Sequence, residues 1–191
     1  GLRSARAPAL QPVVTSSRSG ASYWRSADGR CFVKTITAKE ARLLLALLPD
    51  YVAHLARYPA SLLPRFLGLF KARLAEDTAP GGHKVYLLAM QNLFHASVGA
   101  DEQYDLKGST VDRYVGVGTG SPLPARTGGG ATSSPPAALQ RVAGKDLDLR
   151  RSVMLGPSYR ALLLAQLEKD CGLLESHDIM DYSLLLGVGS G

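Results

Sequence analysis

Residues 116–138 place the strongest constraint on what this chain can fold into. The segment contains six Gly, four Pro, three Ser and three Thr. A stretch of that composition buries too little apolar surface to offset the entropy lost when it is ordered. We therefore predict a disordered insert at 116–138, which divides the sequence into a longer structured part before it and a shorter one after it.

The part before the insert carries strand patterns on either side of a helical region. After a loose lead-in at 1–12, residues 13–33 read as two strands joined by polar turns, 31–36 has the β-branched and aromatic composition of a strand, and further strands are predicted at 66–74 and 85–90. The order of strand, strand, helix, strand, strand predicts an α+β fold. Its antiparallel sheet should carry a helix on one face.

The helical region begins with Thr37 and Glu40, whose spacing is that of a capping box. A Leu-rich helix follows, and we expect Pro49 to interrupt it before a second helical stretch at 51–57.

The part after the insert resumes with 145–148 and a helix at about 158–175. The apolar residues of that helix recur at helical spacing and should form its buried face: Leu163, Leu167, Cys171 and Leu174. The cysteines fit reduced thiols of a cytosolic protein. The four histidines are scattered, and we expect none of them to bind a metal.

Charge is unevenly distributed along the chain. Residues 1–75 carry 12 basic and 3 acidic side chains, while the whole chain has a net charge of +6. A basic surface attracts anionic lipid or nucleic acid, and it can also serve only to solubilise. Because no nucleic-acid-binding motif accompanies the charge, we expect no nucleic acid partner. No apolar run approaches the ~20 residues that span a bilayer.

Lys34 shares a strand face with Phe32 and Ile36, since side chains alternate along a strand. A lysine between two apolar neighbours either extends outward at an edge or holds its charge in a cleft, where a nucleotide phosphate could balance it. The small residues of 17–22 precede it by about one hairpin, and such a segment lets backbone N–H groups approach phosphate oxygens.

Two longer stretches make the assignment specific. Residues 104–110 read YDLKGST, and residues 178–187 read DIMDYSLLLG. Both resemble signature stretches of phosphatidylinositol phosphate kinases. Shorter runs agree in the same order at 18–20, 33–35, 47–49, 66–69, 145–148 and 169–171. The resemblance covers about 13–189, so 13–191 is interpreted as part of such a kinase domain, most like the plant and algal phosphatidylinositol 4-phosphate 5-kinases.

This resemblance implies roles for individual residues. Asp181 looks like the catalytic aspartate, which accepts or orients the proton of the attacking hydroxyl, and Lys107 would lie near the phosphates, with Asp105 and Ser109 shaping its turn. The residues that resemble a nucleotide-binding set are Ser19, Gly20, Ser22, Lys34, Met90 and Asn92. The resemblance also implies an ion pair between the Glu40 carboxylate and Lys34, and the capping box is the competing role for Glu40. No metal ligand is assigned. Without the family argument, Asp178 and Asp181 could be a solvated loop pair.

The implied activity is ATP- and Mg²⁺-dependent phosphorylation of a phosphatidylinositol monophosphate, most specifically phosphatidylinositol 4-phosphate at its 5-hydroxyl. The implied partners are phosphoinositide lipid, an anionic membrane surface and a second copy in a homodimer. The implied location is cytoplasmic, peripheral at the inner face of the plasma membrane.

Two departures from the family pattern qualify that expectation. Ser17 and Ala21 stand where the family usually has glycine and serine. The family's downstream metal-binding aspartate and activation loop are also not in this sequence. We therefore expect the chain by itself to be an inactive fragment of a kinase. The alternative is a pseudokinase scaffold that binds lipid or partner kinases at the membrane.

Overall fold

The computed structural model describes residues 10–13, 21–74, 83–94, 99–116 and 143–189. The chain forms two compact units, one from Gly1–His95 with Arg160–Asp178 and one from Ala96–Tyr159 with Ile179–Gly191. We call these the first and second units. The predicted insert lies, from residue 117 onward, outside the described residues, as do Ser17, Ser19 and Gly20.

The first unit is built on a five-stranded antiparallel sheet. Its strands are β1 (Gln11–Val13), β2 (Tyr23–Arg25), β3 (Cys31–Ile36), β4 (Phe66–Leu74) and β5 (His83–Gln91). They lie in the order β1-β2-β3-β5-β4. The antiparallel sheet is confirmed, but three strands precede the helix instead of two. The additional strand is β1, which begins within the predicted lead-in 1–12 and pairs with β2. The turn between β2 and β3 is tight: the Ser26 hydroxyl donates to Asp28 (2.6 Å), and Gly29 adopts φ +72°.

Helix α1 (Ala38–Arg57) follows β3. The predicted capping box is present: the Glu40 N–H donates to the Thr37 hydroxyl (3.1 Å), and the Thr37 N–H donates to the Glu40 carboxylate (2.6 Å). The expected interruption at Pro49 is wrong, because α1 runs through it as a single helix. Burial of Leu47 and Tyr51 on either side of the exposed proline stabilises the helix and outweighs the lost hydrogen bond.

Tyr51 links α1 to the sheet. Its ring lies 4.8 Å from that of Phe66 at the start of β4. Its hydroxyl donates to the carbonyl oxygen of Pro64 (2.7 Å) and accepts from the Phe66 N–H (3.2 Å). A helix packed beside an antiparallel sheet is therefore the architecture of this unit, in agreement with the predicted α+β class.

Helix α2 (Pro157–Ser176) matches the predicted helix to within one residue at each end. The four apolar residues expected on its inner face are all half-buried. The most deeply buried residue of α2 is, however, a charged one, Asp170. None of the helices in the described ranges is long and apolar enough to span a membrane.

The second unit contains a two-stranded antiparallel sheet of β6 (Glu102–Leu106) and β7 (Leu184–Val188). Gly144 extends its edge, since the Gly144 N–H donates to Gln103 and the Asp105 N–H donates to Gly144, both at 2.8 Å. A short 3-10 turn (Asp146–Asp148) follows. The segments that resembled kinase signatures thus contribute β6, β7 and the turns beside them.

Candidate active-site residues

Lys34 lies in the middle of the first unit's sheet. On β3 it is paired with Tyr23 of β2 and with Leu88 of β5. Its side chain is half-buried, and its ammonium forms no hydrogen bond or ion pair with any described residue. A half-buried ammonium without an anionic partner can bind one supplied by a ligand.

Glu40 serves the helix N-terminus rather than an ion pair. The Thr37 N–H and hydroxyl hold the pKa of Glu40 below its usual range, and the charge of Lys34 contributes least to that lowering. Within the described chain no salt bridge joins Glu40 to Lys34. Of the two roles left open by the sequence, the structure shows the capping box.

Ser22 is the described member of the predicted phosphate-binding segment. Its N–H donates to the Thr35 hydroxyl (2.9 Å), and its carbonyl oxygen accepts from the Thr35 N–H (2.9 Å). The backbone of Ser22 is therefore already paired next to Lys34, and only its exposed hydroxyl is available to a ligand.

Met90 and Asn92 lie at the end of β5. Met90 is half-buried opposite Phe32 on β3. The buried Asn92 side chain donates to the carbonyl oxygen of Gly29 (2.7 Å) and accepts from the Phe94 N–H (3.0 Å). These contacts fasten the end of β5 to the β2–β3 hairpin, which is a structural role that the sequence did not indicate.

The second unit brings together Lys107 and Asp181, which are separated by 74 positions. The Lys107 ammonium donates to the Asp181 carboxylate and lowers the pKa of that carboxyl. The Asp181 side chain is 83% exposed and that of Lys107 25% exposed. Asp181 has φ +64°, a backbone conformation that is uncommon outside glycine and is enriched at functional sites.

Asp146 fixes the backbone beside Lys107. Its carboxylate accepts from the N–H groups of Lys107 (3.0 Å) and Gly108 (2.8 Å) and from Arg113 Nε (2.6 Å). Burial would raise the pKa of Asp146, but these hydrogen bonds lower it to about 2. Arg113 also donates to the Asp105 carboxylate (2.9 Å), so the buried guanidinium lies between two carboxylates.

Asp148 fixes the far end of the loop 107–116, whose first two residues are held by Asp146. Its carboxylate accepts from the N–H groups of Lys145 (2.9 Å), Val115 (3.0 Å) and Gly116 (3.2 Å). Burial opposes the ionised form, and the three hydrogen bonds hold the pKa of Asp148 below its usual range. The sequence singled out 145–148 only as a family-like run. The acid pair at i and i+2 was the available signal for these contacts.

Where metal-binding residues are concerned, the described His, Cys, Asp and Glu side chains include no group of three that could hold an ion. Ser109 accepts weakly from the Val111 N–H (3.4 Å), consistent with a role in the local turn. Of the predicted site residues, Lys107 and Asp181 are in contact within the second unit. Lys34 lies in the other unit.

Comparison with known proteins gives this geometry its context. The family model described as phosphatidylinositol-4-phosphate 5-kinase matches residues 4–190. A Dictyostelium discoideum protein named "Probable phosphatidylinositol phosphate kinase" is 36% identical over 94% of this chain and 22% of its own length. The mouse phosphatidylinositol 4-phosphate 5-kinase-like protein 1 is 36% identical over 95% of this chain and 40% of its own.

Plant proteins are also among the relatives, as the sequence indicated. Phosphatidylinositol 4-phosphate 5-kinase 1 of Arabidopsis thaliana is 32% identical over 94% of this chain and 21% of its own length. The chain thus spans well under half the length of these relatives. With a family match over nearly its whole length, the chain belongs to the phosphatidylinositol-4-phosphate 5-kinase family.

Proposed function

We propose that this chain supplies the nucleotide-binding residues and the catalytic aspartate of an ATP-dependent lipid kinase. Its substrate would be a phosphatidylinositol monophosphate, specifically phosphatidylinositol 4-phosphate, phosphorylated at the 5-hydroxyl to the bisphosphate. The observation that carries the proposal is the Lys107–Asp181 pair in a chain that belongs to this family.

Asp181 fits the task of orienting the attacking hydroxyl. An aspartate is ionised at neutral pH even at its ordinary pKa of 3.8, and Lys107 lowers that pKa further, so the exposed carboxylate can accept a hydrogen bond from a substrate hydroxyl. The same lowering makes it a weak base. Its contribution would be to align the hydroxyl and to take the proton once the new bond to phosphorus is forming.

Lys107 would act on the phosphoryl group. Its ammonium lies at the carboxylate that receives the substrate hydroxyl, so it is near the point where attack would occur. A compact positive charge stabilises the charge that develops on phosphoryl oxygens in the transition state. Asp181 would thus act on the attacking hydroxyl and Lys107 on the phosphoryl group that it attacks.

ATP would be held by residues of the first unit. Lys34 has an ammonium without a described partner, which suits a nucleotide phosphate. The exposed Ser22 is hydrogen-bonded to Thr35, the residue after Lys34. Ser19 and Gly20 stay predicted as phosphate contacts. Met90 would contact adenine. Asn92 would act indirectly, because its side chain holds the end of β5 against the β2–β3 hairpin. Phosphoryl transfer commonly uses Mg²⁺, and the described residues include no group of three His, Cys, Asp or Glu side chains that could hold it.

The membrane is the proposed site of action. The basic excess of residues 1–75 favours binding to an anionic surface, such as the inner face of the plasma membrane, from the cytoplasmic side. A homodimer is proposed on the family resemblance. Both proposals concern the complete protein rather than the contacts described above.

The test uses the protein expressed from its complete transcript. It would be incubated with γ-labelled ATP and vesicles that contain each phosphatidylinositol monophosphate in turn. We expect label in the bisphosphate product, with the 4-phosphate preferred. Asp181→Asn should lower kcat by about 10²- to 10⁴-fold, the usual contribution of a positioned acid or base.

Asp178→Asn is the matched control, because Asp178 lies in the same loop, is exposed and also has a positive φ (+53°). Its rate should stay within about twofold of the parent, as expected for a surface substitution. Vesicle binding without labelling of any lipid would overturn the kinase proposal and favour a scaffold. Equal losses in the two variants would remove the assigned role from Asp181.

A further inference from the structure

The loop 107–116 is held at both ends by the two carboxylates of one 3-10 turn. Asp146 accepts from the N–H groups of its first two residues, and Asp148 accepts from those of its last two. The ends of a loop are usually fixed by its own strands or helices. Here a turn about 30 residues further along the chain does so, beyond a Gly- and Pro-rich segment.

The Asp146 end of the loop carries the functional residue. Lys107 uses its backbone N–H to donate to Asp146 and its ammonium to donate to Asp181. The ammonium of a lysine lies at the end of a flexible four-carbon chain, so its position depends on where the backbone is held. Fixing two successive N–H groups sets both the place and the direction of the Lys107 Cα–Cβ bond.

The backbone at this point needs external support. Gly108 has φ +68°, the left-handed conformation that glycine adopts readily and that an unrestrained chain does not hold in one place. Asp146 is itself restrained, because Arg113 Nε donates to it at 2.6 Å and Arg113 is 8% exposed. The chain of contacts therefore runs from a buried guanidinium through one carboxylate to the backbone of Lys107.

We propose that Asp146 is a positioning residue for Lys107: by holding the Lys107 and Gly108 N–H groups, it sets the geometry in which the Lys107 ammonium meets Asp181. The consequence of this role for catalysis rests on the proposed kinase function. Its effect on the geometry of Lys107 does not depend on that function. Asp146 touches neither substrate nor nucleotide and acts mainly through Lys107, since the charge of Arg113, which it also holds, contributes least to the lowered pKa of Asp181.

Asp148 supplies the comparison that separates positioning from general stability. It lies in the same turn, accepts the same number of hydrogen bonds and differs in holding the end of the loop remote from Lys107. Removing either carboxylate should lower stability, because each leaves three donors without their acceptor. Removing Asp146 should in addition release Lys107 from Asp181.

The first measurement is the pKa of the Asp181 carboxyl. NMR titration of the 191-residue chain, with isotope-labelled Asp, gives this pKa. Lys107 is the main cause that lowers this pKa, so it reports directly on the contact. In Asp146→Ala the pKa of Asp181 should rise toward its ordinary value. In Asp148→Ala it should stay where it is in the parent chain, even where the stability loss is similar.

Asp146→Asn protects the test against misfolding. The amide is the same size and keeps an oxygen that can accept from Lys107 and Gly108, but it turns N–H groups toward Arg113. The pKa of Asp181 should then lie between those of the parent and Asp146→Ala. An unchanged pKa in folded Asp146→Asn and Asp146→Ala, or an equal rise in Asp148→Ala, would overturn the proposal.

A kinetic measurement separates this inference from the proposed function. In the complete protein, Asp146→Asn should lower kcat about 10- to 100-fold, as a displacement of about 1 Å can do, with KM for ATP unchanged. Combined with Lys107→Met, it should cause no further loss. A shifted Asp181 pKa in a protein that never labels lipid would keep the positioning role and reject the kinase. If the complete protein labels lipid but substitution of Asp146 changes neither the pKa of Asp181 nor kcat, the kinase function stands and the positioning role is rejected.

Discussion

Asp170 in the first unit and Asp146 in the second each accept several hydrogen bonds through one carboxylate, and the two are used differently. In the first unit, Asp170 is 3% exposed. It accepts from His54 Nε2 (2.6 Å), the Ser61 hydroxyl (2.8 Å), the Leu62 N–H (2.8 Å) and Gln166 Nε2 (2.9 Å). Its donors belong to α1, to the segment after α1, and to α2 itself, so the carboxylate joins two helices.

In the second unit, Asp146 is only half-buried and collects its hydrogen bonds from a loop. Two of its donors are backbone N–H groups, and the third is the Arg113 side chain. No helix is joined by it. The same chemical group thus fastens elements of the core in one unit and shapes the backbone beside the candidate catalytic lysine in the other.

The comparison teaches that the identity of the donors, rather than their number, indicates the role of a carboxylate that accepts several hydrogen bonds. Donors from packed helices predict a loss of stability when the carboxylate is removed. Donors from a loop that ends in a functional side chain predict a loss of geometry. The two aspartates therefore make a natural pair for substitution.

The largest effect should come from Asp170→Ala. It leaves a buried imidazole, hydroxyl and N–H without their acceptor, so we expect the free energy of unfolding of the first unit to fall by about 3–5 kcal/mol. Trp24, the single tryptophan of the chain, lies on β2 and reports on this unit. Its fluorescence during urea unfolding gives the measurement.

Asp146→Ala is the matched control for that experiment. Because Asp146 belongs to the other unit, its removal should change the urea midpoint read from Trp24 much less than the removal of Asp170. If the two variants shift this midpoint equally, the division of roles drawn above is wrong.

A smaller effect is expected from acid. The pKa of Asp146 lies at about 2 in the folded chain, below its ordinary value of 3.8. A carboxyl whose folded pKa is lowered stabilises the fold above its unfolded pKa, and this contribution disappears as the pH falls through the folded pKa. About 1–2 kcal/mol of stability should therefore be lost between pH 4 and pH 2.

Asp146→Asn isolates this contribution from those of the other carboxyls. The difference in free energy of unfolding between parent and variant, followed by circular dichroism, should be largest near neutral pH and should shrink across that acid window. A difference that stays constant from pH 5 to pH 2 would show that the ionisation of Asp146 does not stabilise the fold.

Local patterns in the sequence predicted most of the elements. The capping box at Thr37 and Glu40, the strand Phe66–Leu74 and helix α2 were each confirmed, because their signals lie within a few consecutive residues. Pro49 gave the wrong prediction for the complementary reason. Its intrinsic effect on a helix is unfavourable, but the packing of Tyr51 against Phe66, 15 positions further on, does not show in the pattern around Pro49.

The candidate site divides in the same way. Lys107 and Asp181 were singled out because each lies in a run of family-like residues, and the structure places their side chains in contact. Asp170 and Asp146 were missed as structural centres, since His54 is 116 positions from Asp170 and Lys107 is 39 from Asp146. No spacing rule of a helix or strand connects residues at such distances.

The smallest expected effect comes from a second His–Asp pair of the first unit. His177 Nε2 lies 2.9 Å from the Asp50 carboxylate, so this pair also joins the end of α2 to α1, as His54 and Asp170 do. The difference is exposure, because the Asp50 side chain is 66% exposed. Water and salt screen such a pair, and both side chains lose freedom in forming it.

Asp50→Asn should therefore change the free energy of unfolding by about 0.5 kcal/mol or less, and added salt should remove even that. The Trp24 urea midpoint used for Asp170→Ala measures it under the same conditions. Since the two pairs connect the same helices with the same side chains, a small loss for Asp50 beside a large one for Asp170 assigns the difference to burial. A loss above about 1.5 kcal/mol for Asp50→Asn would mean that joining the helices matters more than burying the carboxylate, and the contrast with Asp146 would then need another cause.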